Sequence, residues 1–318
     1  MSQVYVIHEN AAWLEPLARA LDAEGLAWRD WHLDHGAFDL ARAPPAGIFF
    51  SRMSASSHTR GHRFAAELTL GVLAWLERSG CRVINGSHAL DLEISKARQC
   101  SALAAAGIRT PRTVVVAGTD LLAAAMRREF AGGPAILKPN RGGKGLGVRL
   151  FRSPEALEDF LASPDYEPPV DGIHLLQQYI EAARPLVTRA EFIGGRFLYA
   201  VEVDTSEGFE LCPADACAIG DAYCPAGEEP EPKFTIIDAI DGELRQRYEA
   251  FLRANRIAVA GIEFIRDRAG VAYTYDVNTN TNYNPDAERR AGRSAMAALA
   301  RYLGDELAAS TRPAAPSR

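Results

Sequence analysis

The chain has 318 residues, 47% hydrophobic and 24% charged, with a formal net charge of −6. That is the balance of an ordinary globular protein long enough for two or three cores. The acidic surplus excludes nucleic acid as an expected partner, and the absence of an apolar run approaching ~20 residues excludes a membrane-spanning helix.

Residues 1–8 carry no basic stretch ahead of their apolar run and read as a first strand, not a signal peptide. Strand 4–7, helix 14–24, strand 48–50, a helix over 61–78 and strand 82–84 then alternate. The helix over 61–78 is marked by Phe64, Leu68, Val72, Trp75 and Leu76. Alternation of this kind predicts a small parallel α/β domain. The loop at 51–60 follows the second strand, and ligands of open parallel sheets sit beyond the carboxyl ends of strands. Arg52, Ser54, Ser57, His58 and Arg60 are therefore candidate anchors for an acidic or amino-acid substrate, since arginine binds carboxylate bidentately.

A helix over 93–106 stops at Gly107, with Pro111 beyond. Strand 113–116, helix 120–130, strand 135–138, a glycine loop and strand 148–151 follow. Ser153 and Pro154 open the next helix. Residues 175–180 read as a buried strand, Gly194-Gly195 as a hairpin turn, and 261–266 with 271–277 as a second hairpin. The last helix is expected over 287–308, and the Pro/Ala/Ser tail 310–318 is expected to be disordered. Residues 225–232 read as an acidic, proline-rich surface loop.

Only four of the 35 basic residues are lysine: Lys96, Lys138, Lys144 and Lys233. An arginine-rich chain keeps lysine chiefly where a compact point charge differs from a planar fork. Lys138 and Lys144 flank or enter Gly142, Gly143, Gly145 and Gly147, and bare backbone N–H groups beside a mobile ammonium cradle phosphate. The segment is not a Walker loop, because no Gly-Lys-Ser/Thr follows. It is not a dinucleotide fingerprint either, because it runs into a strand and no helix N-terminus receives the phosphates. Far downstream, alternation places Asp276 and Asn278 on one face of a strand, with Glu263 able to face them from the hairpin partner. Two carboxylates and an amide oxygen form a hard oxygen site of the kind Mg²⁺ uses beside nucleotide phosphates. Each cluster alone is equally a tight turn or a solvated polar hairpin; their presence in one chain carries the reading.

The ordered set resembles an ATP-grasp enzyme, and within it the carboxylate–amine ligases of the ribosomal-protein glutamate ligase (RimK-like) type. The resemblance rests on Arg52, Val83-Ile84-Asn85-Gly86, Ser95-Lys96, the stretch from Ala106 to Thr113, Leu137-Lys138-Pro139 with its glycines, Gln177-Gln178-Tyr179-Ile180, Thr188-Arg189, Glu263 and Asp276-Val277-Asn278. It implies an α/β fold: a parallel N-terminal domain (1–92), then two α+β subdomains (93–180 and 181–309) that clamp ATP, and a tail (310–318). It also implies ATP-dependent formation of an amide bond through an acyl phosphate, with one or two Mg²⁺ or Mn²⁺.

By that resemblance Lys96 and Lys138 contact the phosphates, and Gly142, Gly143, Gly145 and Gly147 close over them with Lys144 at the tip. Gln178, Tyr179 and Ile180 hold adenine, and Glu181 reaches the ribose. Arg189 faces the γ-phosphate, and Glu263, Asp276 and Asn278 hold the metal. Asp276 departs from the more usual glutamate and is one methylene shorter. The run Asn278, Asn280, Asn282, Asn284 replaces a common Pro-Gly turn, which makes Asn280 and Asn282 candidate substrate contacts.

The carboxylate and amine are expected to be small, an amino acid or short peptide. A homo-oligomer is compatible with the sequence. A small-molecule kinase on the same fold, or a non-catalytic nucleotide binder, are the rival readings. The five cysteines, odd in number and scattered, fit a reduced, cytoplasmic setting. The spacing of Cys212, Cys217 and Cys224 matches no common zinc pattern.

Overall fold

The computed structural model describes residues 2–143, 145–206 and 233–311. Lys144, Cys212, Cys217, Cys224, the loop 225–232 and residues 312–318 lie outside them. Three sheets organise the described residues.

The first sheet is parallel, in the order β2-β1-β3-β4, built from β1 (Gln3–His8), β2 (Trp28–His32), β3 (Gly47–Ser51) and β4 (Arg82–Ile84). Helices α1 (Ala11–Ala23), α2 (Ala65–Arg78) and α3 (Ser87–Glu93) belong to this part. Strand β2 was not expected from the sequence, because it is an edge strand with two exposed charges, Arg29 and Asp30, and no fully buried residue.

The second sheet is antiparallel, in the order β5-β8-β6-β7. Its strands are β5 (Thr113–Ala117), β6 (Ala135–Pro139), β7 (Arg149–Phe151) and β8 (Ile173–Gln178). Helices α4 (Lys96–Ala105), α5 (Leu122–Phe130) and α6 (Pro154–Leu161) accompany it. The helix expected over 93–106 is broken at its start: Glu93 ends α3, and α4 begins at Lys96. Ser95 takes an extended backbone and caps α4, its hydroxyl accepting from Arg98 N. Asn140 closes the same turn: its carbonyl accepts from Lys96 N at 3.0 Å and its Oδ1 from Ala97 N at 2.9 Å. Side-chain caps of this kind satisfy the orphan donors of a first turn.

The third sheet, β11-β10-β9-β12-β13, is antiparallel throughout. It comprises β9 (Leu186–Ile193), β10 (Arg196–Asp204), β11 (Phe234–Ile237), β12 (Val259–Arg266) and β13 (Ala272–Asn278). Helices α7 (Gly242–Ala254), α8 (Pro285–Ala291) and α9 (Ala295–Thr311) pack around it. The last helix is likewise split, at Gly292, whose φ of 63° lies in the left-handed region that glycine tolerates. Ser310 and Thr311, expected in the tail, continue α9.

Burial explains how the sheets hold together. One face of the third sheet packs Phe192, Ile262 and Phe264 against Tyr248, Phe251 and Leu252 of α7. The other face shares one apolar core with the first sheet: Val187 and Val201 join Val4, Ile48 and Phe50 through Leu299 and Leu303 of α9. Asn85, at φ 51°, bolts the two together. Its Nδ2 donates to Val259 O (2.8 Å) and Thr279 O (2.9 Å), and its Oδ1 accepts from Ala258 N (2.9 Å) and Val259 N (3.1 Å).

Candidate active site

The packing above brings the first turn of α4, the end of β6 and the β12–β13 hairpin to one place. Lys96 Nζ donates to Asp276 Oδ1 at 2.6 Å, and Lys138 Nζ to Tyr275 O at 3.3 Å. Gln99 fastens α4 alongside: its Nε2 donates to Leu92 O and Val277 O, and its Oε1 accepts from Val277 N. The lysines and carboxylates that the sequence keeps in separate clusters therefore face each other.

Register fixes the acidic side. Glu263 pairs with Asp276 on β13 and with Arg189 on β9, with an irregularity just after Glu263. Asn278 Nδ2 donates to Glu263 Oε1 at 3.2 Å. Burial pushes Glu263 up, and the neighbouring Asp276 charge adds to that push. Burial opposes ionisation of Asp276 as well, but Lys96 and Lys138 hold it below the usual carboxylate range. Lys138 is lowered to about 8 by burial and then by Lys96. The paired lysine behaves oppositely: Asp276 outweighs burial and raises Lys96. The site thus concentrates charge in a poorly solvated place, the pattern of a functional centre.

Arg189 is held from three sides. Its Nε lies 2.8 Å from Glu191 Oε1, and its terminal nitrogen donates to Thr281 Oγ1 and, at 3.4 Å, to Asn282 O. Thr281 Oγ1 in turn donates to Glu191 Oε2 at 3.0 Å. Gly261 makes room for this arrangement, since a Cβ there would lie 2.5 Å from Arg189 Nε and 3.0 Å from Glu191 Oε2. Burial raises Glu191 to about 7.

A cavity of about 200 Å³ runs through these groups. One end is apolar, between Ile136, Val148, Ile180 and Ile265, with Gln178 and Tyr179 at the strand edge. Lys96, Lys138, Gly142, Gly143 and Gly145 also line the cavity, together with Arg189, Glu263, Asp276 and Asn278. Gly145 has φ 73° and Gly147 φ 74°, both left-handed. Gly143 reaches the loop after β3: a Cβ on it would meet Ser56 Cβ at 3.4 Å. Ser54, Asn280 and Asn282 line the remaining wall.

Several expected contacts lie elsewhere. Gly147 is absent from the lining; it packs against Pro139 and shapes the loop. Glu181 is exposed and ion-paired with Arg268 at 2.6 Å, outside the cavity. Arg52 is buried behind the asparagine run. It donates to Trp13 O (2.8 Å), Asn280 Oδ1 (3.3 Å), Thr281 O (3.2 Å) and Asn282 Oδ1 (2.8 Å). It braces that loop and does not line the cavity. Arg60 grips Glu9 at 2.5 and 3.2 Å and lies over the Trp13 ring. Ser57 is buried and His58 turns its Nδ1 to Ala55 O; neither lines the cavity.

The lining residues that sequence reading did not single out include Trp13, Ser56 and Glu93. Glu93 Oε2 accepts from Thr279 N (2.6 Å) and Thr279 Oγ1 (3.1 Å), and Oε1 from Ala55 N at 3.4 Å. The available signal is an acidic residue two positions ahead of a Ser-Lys helix start, hidden while 93–106 reads as one helix.

Among the described residues no group of three His, Cys, Asp or Glu side chains is arranged to hold a metal ion. The pair Glu263 and Asp276 with the Asn278 amide still fits Mg²⁺, because that ion takes one or two carboxylates and completes its shell with phosphate and water. Burial and, after it, the neighbouring Asp276 charge raise Glu263, and a bound cation would oppose both.

Three features define the class: a parallel N-terminal sheet, a glycine loop on a small antiparallel sheet, and an acidic hairpin across the cleft. The chain has the ATP-grasp fold. It superposes over 98% of its length on 100% of the ATP-grasp ligase PsnB complexed with minimal precursor, at TM-score 0.66 and 16% identity. It likewise covers 95% of its length and 99% of a RimK domain ATP-grasp protein from Sphaerobacter thermophilus DSM 20745, at TM-score 0.62 and 17% identity. By sequence it is 24% identical over 213 residues to β-citrylglutamate synthase B of Danio rerio, spanning 67% of this chain but only 48% of that protein. No family model matches. Within the fold, the chain resembles the RimK-like ligases.

Proposed function

We propose that the protein is an ATP-dependent carboxylate–amine ligase that makes an amide bond through an acyl phosphate. The observation that carries this reading is the meeting of Lys96 and Lys138 with Asp276 and Glu263 around one cavity. A carboxylate attacking a triphosphate needs fixed cations to offset repulsion between anions. In this reading adenine fills the apolar end beside Gln178, Tyr179 and Ile180, and Lys96 and Lys138 hold the phosphates. Arg189 offsets the charge that builds at the transferred group. Glu263, Asp276 and Asn278 would hold Mg²⁺ or Mn²⁺, which as a Lewis acid neutralises phosphate charge.

The chemistry then needs no enzyme nucleophile. A substrate carboxylate oxygen bonds to the γ-phosphorus while the bond to the β–γ bridging oxygen breaks, releasing ADP. The amine nitrogen next attacks the acyl carbon, phosphate leaves, and the amine proton passes to solvent. Gly142, Gly143 and Gly145, with Gly143 close against Ser56, exclude water that would hydrolyse the acyl phosphate. Lys144 lies between Gly143 and Gly145 in sequence and would add a cation there. The substrates in this reading are an amino acid or short peptide, and the odd cysteine count favours a cytoplasmic setting.

Incubation with Mg²⁺-ATP and a panel of amino acids and dipeptides tests the reading. Amine-dependent ADP with a condensation product supports it. Transfer of one phosphate to a hydroxyl compound would instead assign a kinase. Bound nucleotide without turnover across the panel would leave a nucleotide-binding protein.

A further inference from the structure

Asn278, Asn280 and Asn282 run out from the end of β13, and all three line the cavity. A carboxamide has an accepting end and a donating end, and its partners decide which one is left over. Asn278 gives its donating end to Glu263, Nδ2 to Oε1 at 3.2 Å, which leaves its oxygen for the metal. The next two asparagines are held the other way round. Arg52 Nε donates to Asn280 Oδ1 at 3.3 Å, and Arg52 Nη2 to Asn282 Oδ1 at 2.8 Å. A guanidinium has donors alone, so turning either amide would set N–H against N–H at a buried cation.

Among the described residues, neither Asn280 Nδ2 nor Asn282 Nδ2 has a hydrogen-bond partner. Both side chains are half-buried, and Arg52 lies behind them without lining the cavity. The groups they offer to the cavity are therefore amide N–H donors. Their place decides what such donors meet. The run begins at the metal ligand Asn278, and Arg189, assigned to the γ-phosphate, donates to Asn282 O at 3.4 Å. The ligand that the reaction needs between the metal and the γ-phosphate is the attacking carboxylate. Arg60, the other cation of the adjoining loop, is taken by Glu9 and Ser56. Neutral donors suit that carboxylate, because they orient it without pairing off the charge that makes it a nucleophile.

Resting on the ligase reading, we propose that Asn280 Nδ2 and Asn282 Nδ2 hold the substrate carboxylate by the oxygen that is not phosphorylated. The other oxygen bonds to the γ-phosphorus as ADP leaves. When the amine nitrogen adds to the acyl carbon, the held oxygen takes the negative charge. It becomes a carbonyl again as phosphate departs, and the amine proton passes to solvent. The same two donors thus bind the carboxylate and then stabilise the oxyanion.

Asn280→Asp and Asn282→Asp test this directly. Each keeps the side-chain volume and an oxygen for Arg52, and puts an acceptor where the free donor stood. ADP release is measured with Mg²⁺-ATP and a saturating amine against the amino acid or dipeptide that the wild type uses, and separately against ATP. In each variant kcat/KM for the carboxylate is expected to fall on the order of 100-fold, with the KM for ATP within about threefold. Asn280→Ala and Asn282→Ala remove the donor without adding charge, and a fall of about tenfold or more is expected. They separate donor loss from repulsion and decide the matter where an Asp variant does not fold. Carboxylate kcat/KM within about threefold of wild type in these variants overturns the inference while leaving the ligase. So does a matching rise in the KM for ATP, which would assign the amides to phosphate, or a loss confined to the amine. Wild-type ADP release with no member of the panel removes the ligase reading, and the inference with it.

Discussion

Substituting Gly261→Ala would probe the site through its tightest contact. The added Cβ would sit 2.5 Å from Arg189 Nε and 3.1 Å from Arg189 Cζ. Normal separations are about 3.5 Å, so the guanidinium must retreat by roughly 1 Å. That movement strains the Nε–Glu191 pair, now 2.8 Å, and the contacts to Thr281. A misplacement of about 1 Å at a reacting centre costs on the order of 100-fold, or about 2.7 kcal/mol of transition-state stabilisation. Overpacking adds about 1–3 kcal/mol of destabilisation. The nucleotide is held chiefly by Lys96, Lys138 and the apolar end of the cavity, so its affinity should change by less than about threefold. The assay combines substrate-dependent ADP release, nucleotide titration and a melting curve. Turnover within about threefold of wild type, in a protein that melts lower, would refute the role given to Arg189 and its packing.

Other outcomes follow from the same geometry. Asn85→Ala removes four hydrogen bonds and leaves buried backbone groups unpaired; a loss of about 3 kcal/mol or more is expected in urea unfolding. Glu263→Gln should abolish the increase in nucleotide affinity that Mg²⁺ produces while leaving metal-free binding near wild type, as read by calorimetry with and without the ion. Lys138, lowered to about 8 when the site is free of nucleotide, is neutral above that pH, and bound phosphate favours its charged form. Nucleotide binding should therefore take up a proton, near zero at pH ~6.5 and rising through pH ~8, with affinity falling above it. Titration calorimetry in buffers of different ionisation enthalpy measures that uptake, and a pH-independent value near zero would contradict the assignment.

What the sequence reveals and what it hides have separate physical causes. The hairpin at 261–278 is legible because a strand alternates with period two, and that period alone puts Asp276 and Asn278 on one face. The scarcity of lysine points to Lys96 and Lys138 for reasons of composition. Arg52 is misassigned from sequence because residue type alone cannot distinguish a guanidinium offered to a ligand from one consumed by a backbone loop. Glu93 is hidden because its partners, Ala55 and Thr279, are far away in sequence. Helix α7 is hard to read because its charged residues dilute the apolar stripe of Tyr248, Phe251 and Leu252. The breaks at Ser95 and Gly292 are visible as residue types, yet only tertiary contacts such as those of Asn140 with the α4 turn make them decisive.

A crystal structure with Mg²⁺ and a non-hydrolysable ATP analogue would test most directly whether both walls of the cleft hold the same nucleotide. The expected density places adenine against Gln178, Tyr179 and Ile180, the phosphates between Lys96 and Lys138, and the metal on Glu263, Asp276 and Asn278. A nucleotide bound elsewhere, or a metal ligated without Glu263 and Asp276, would contradict the proposed chemistry.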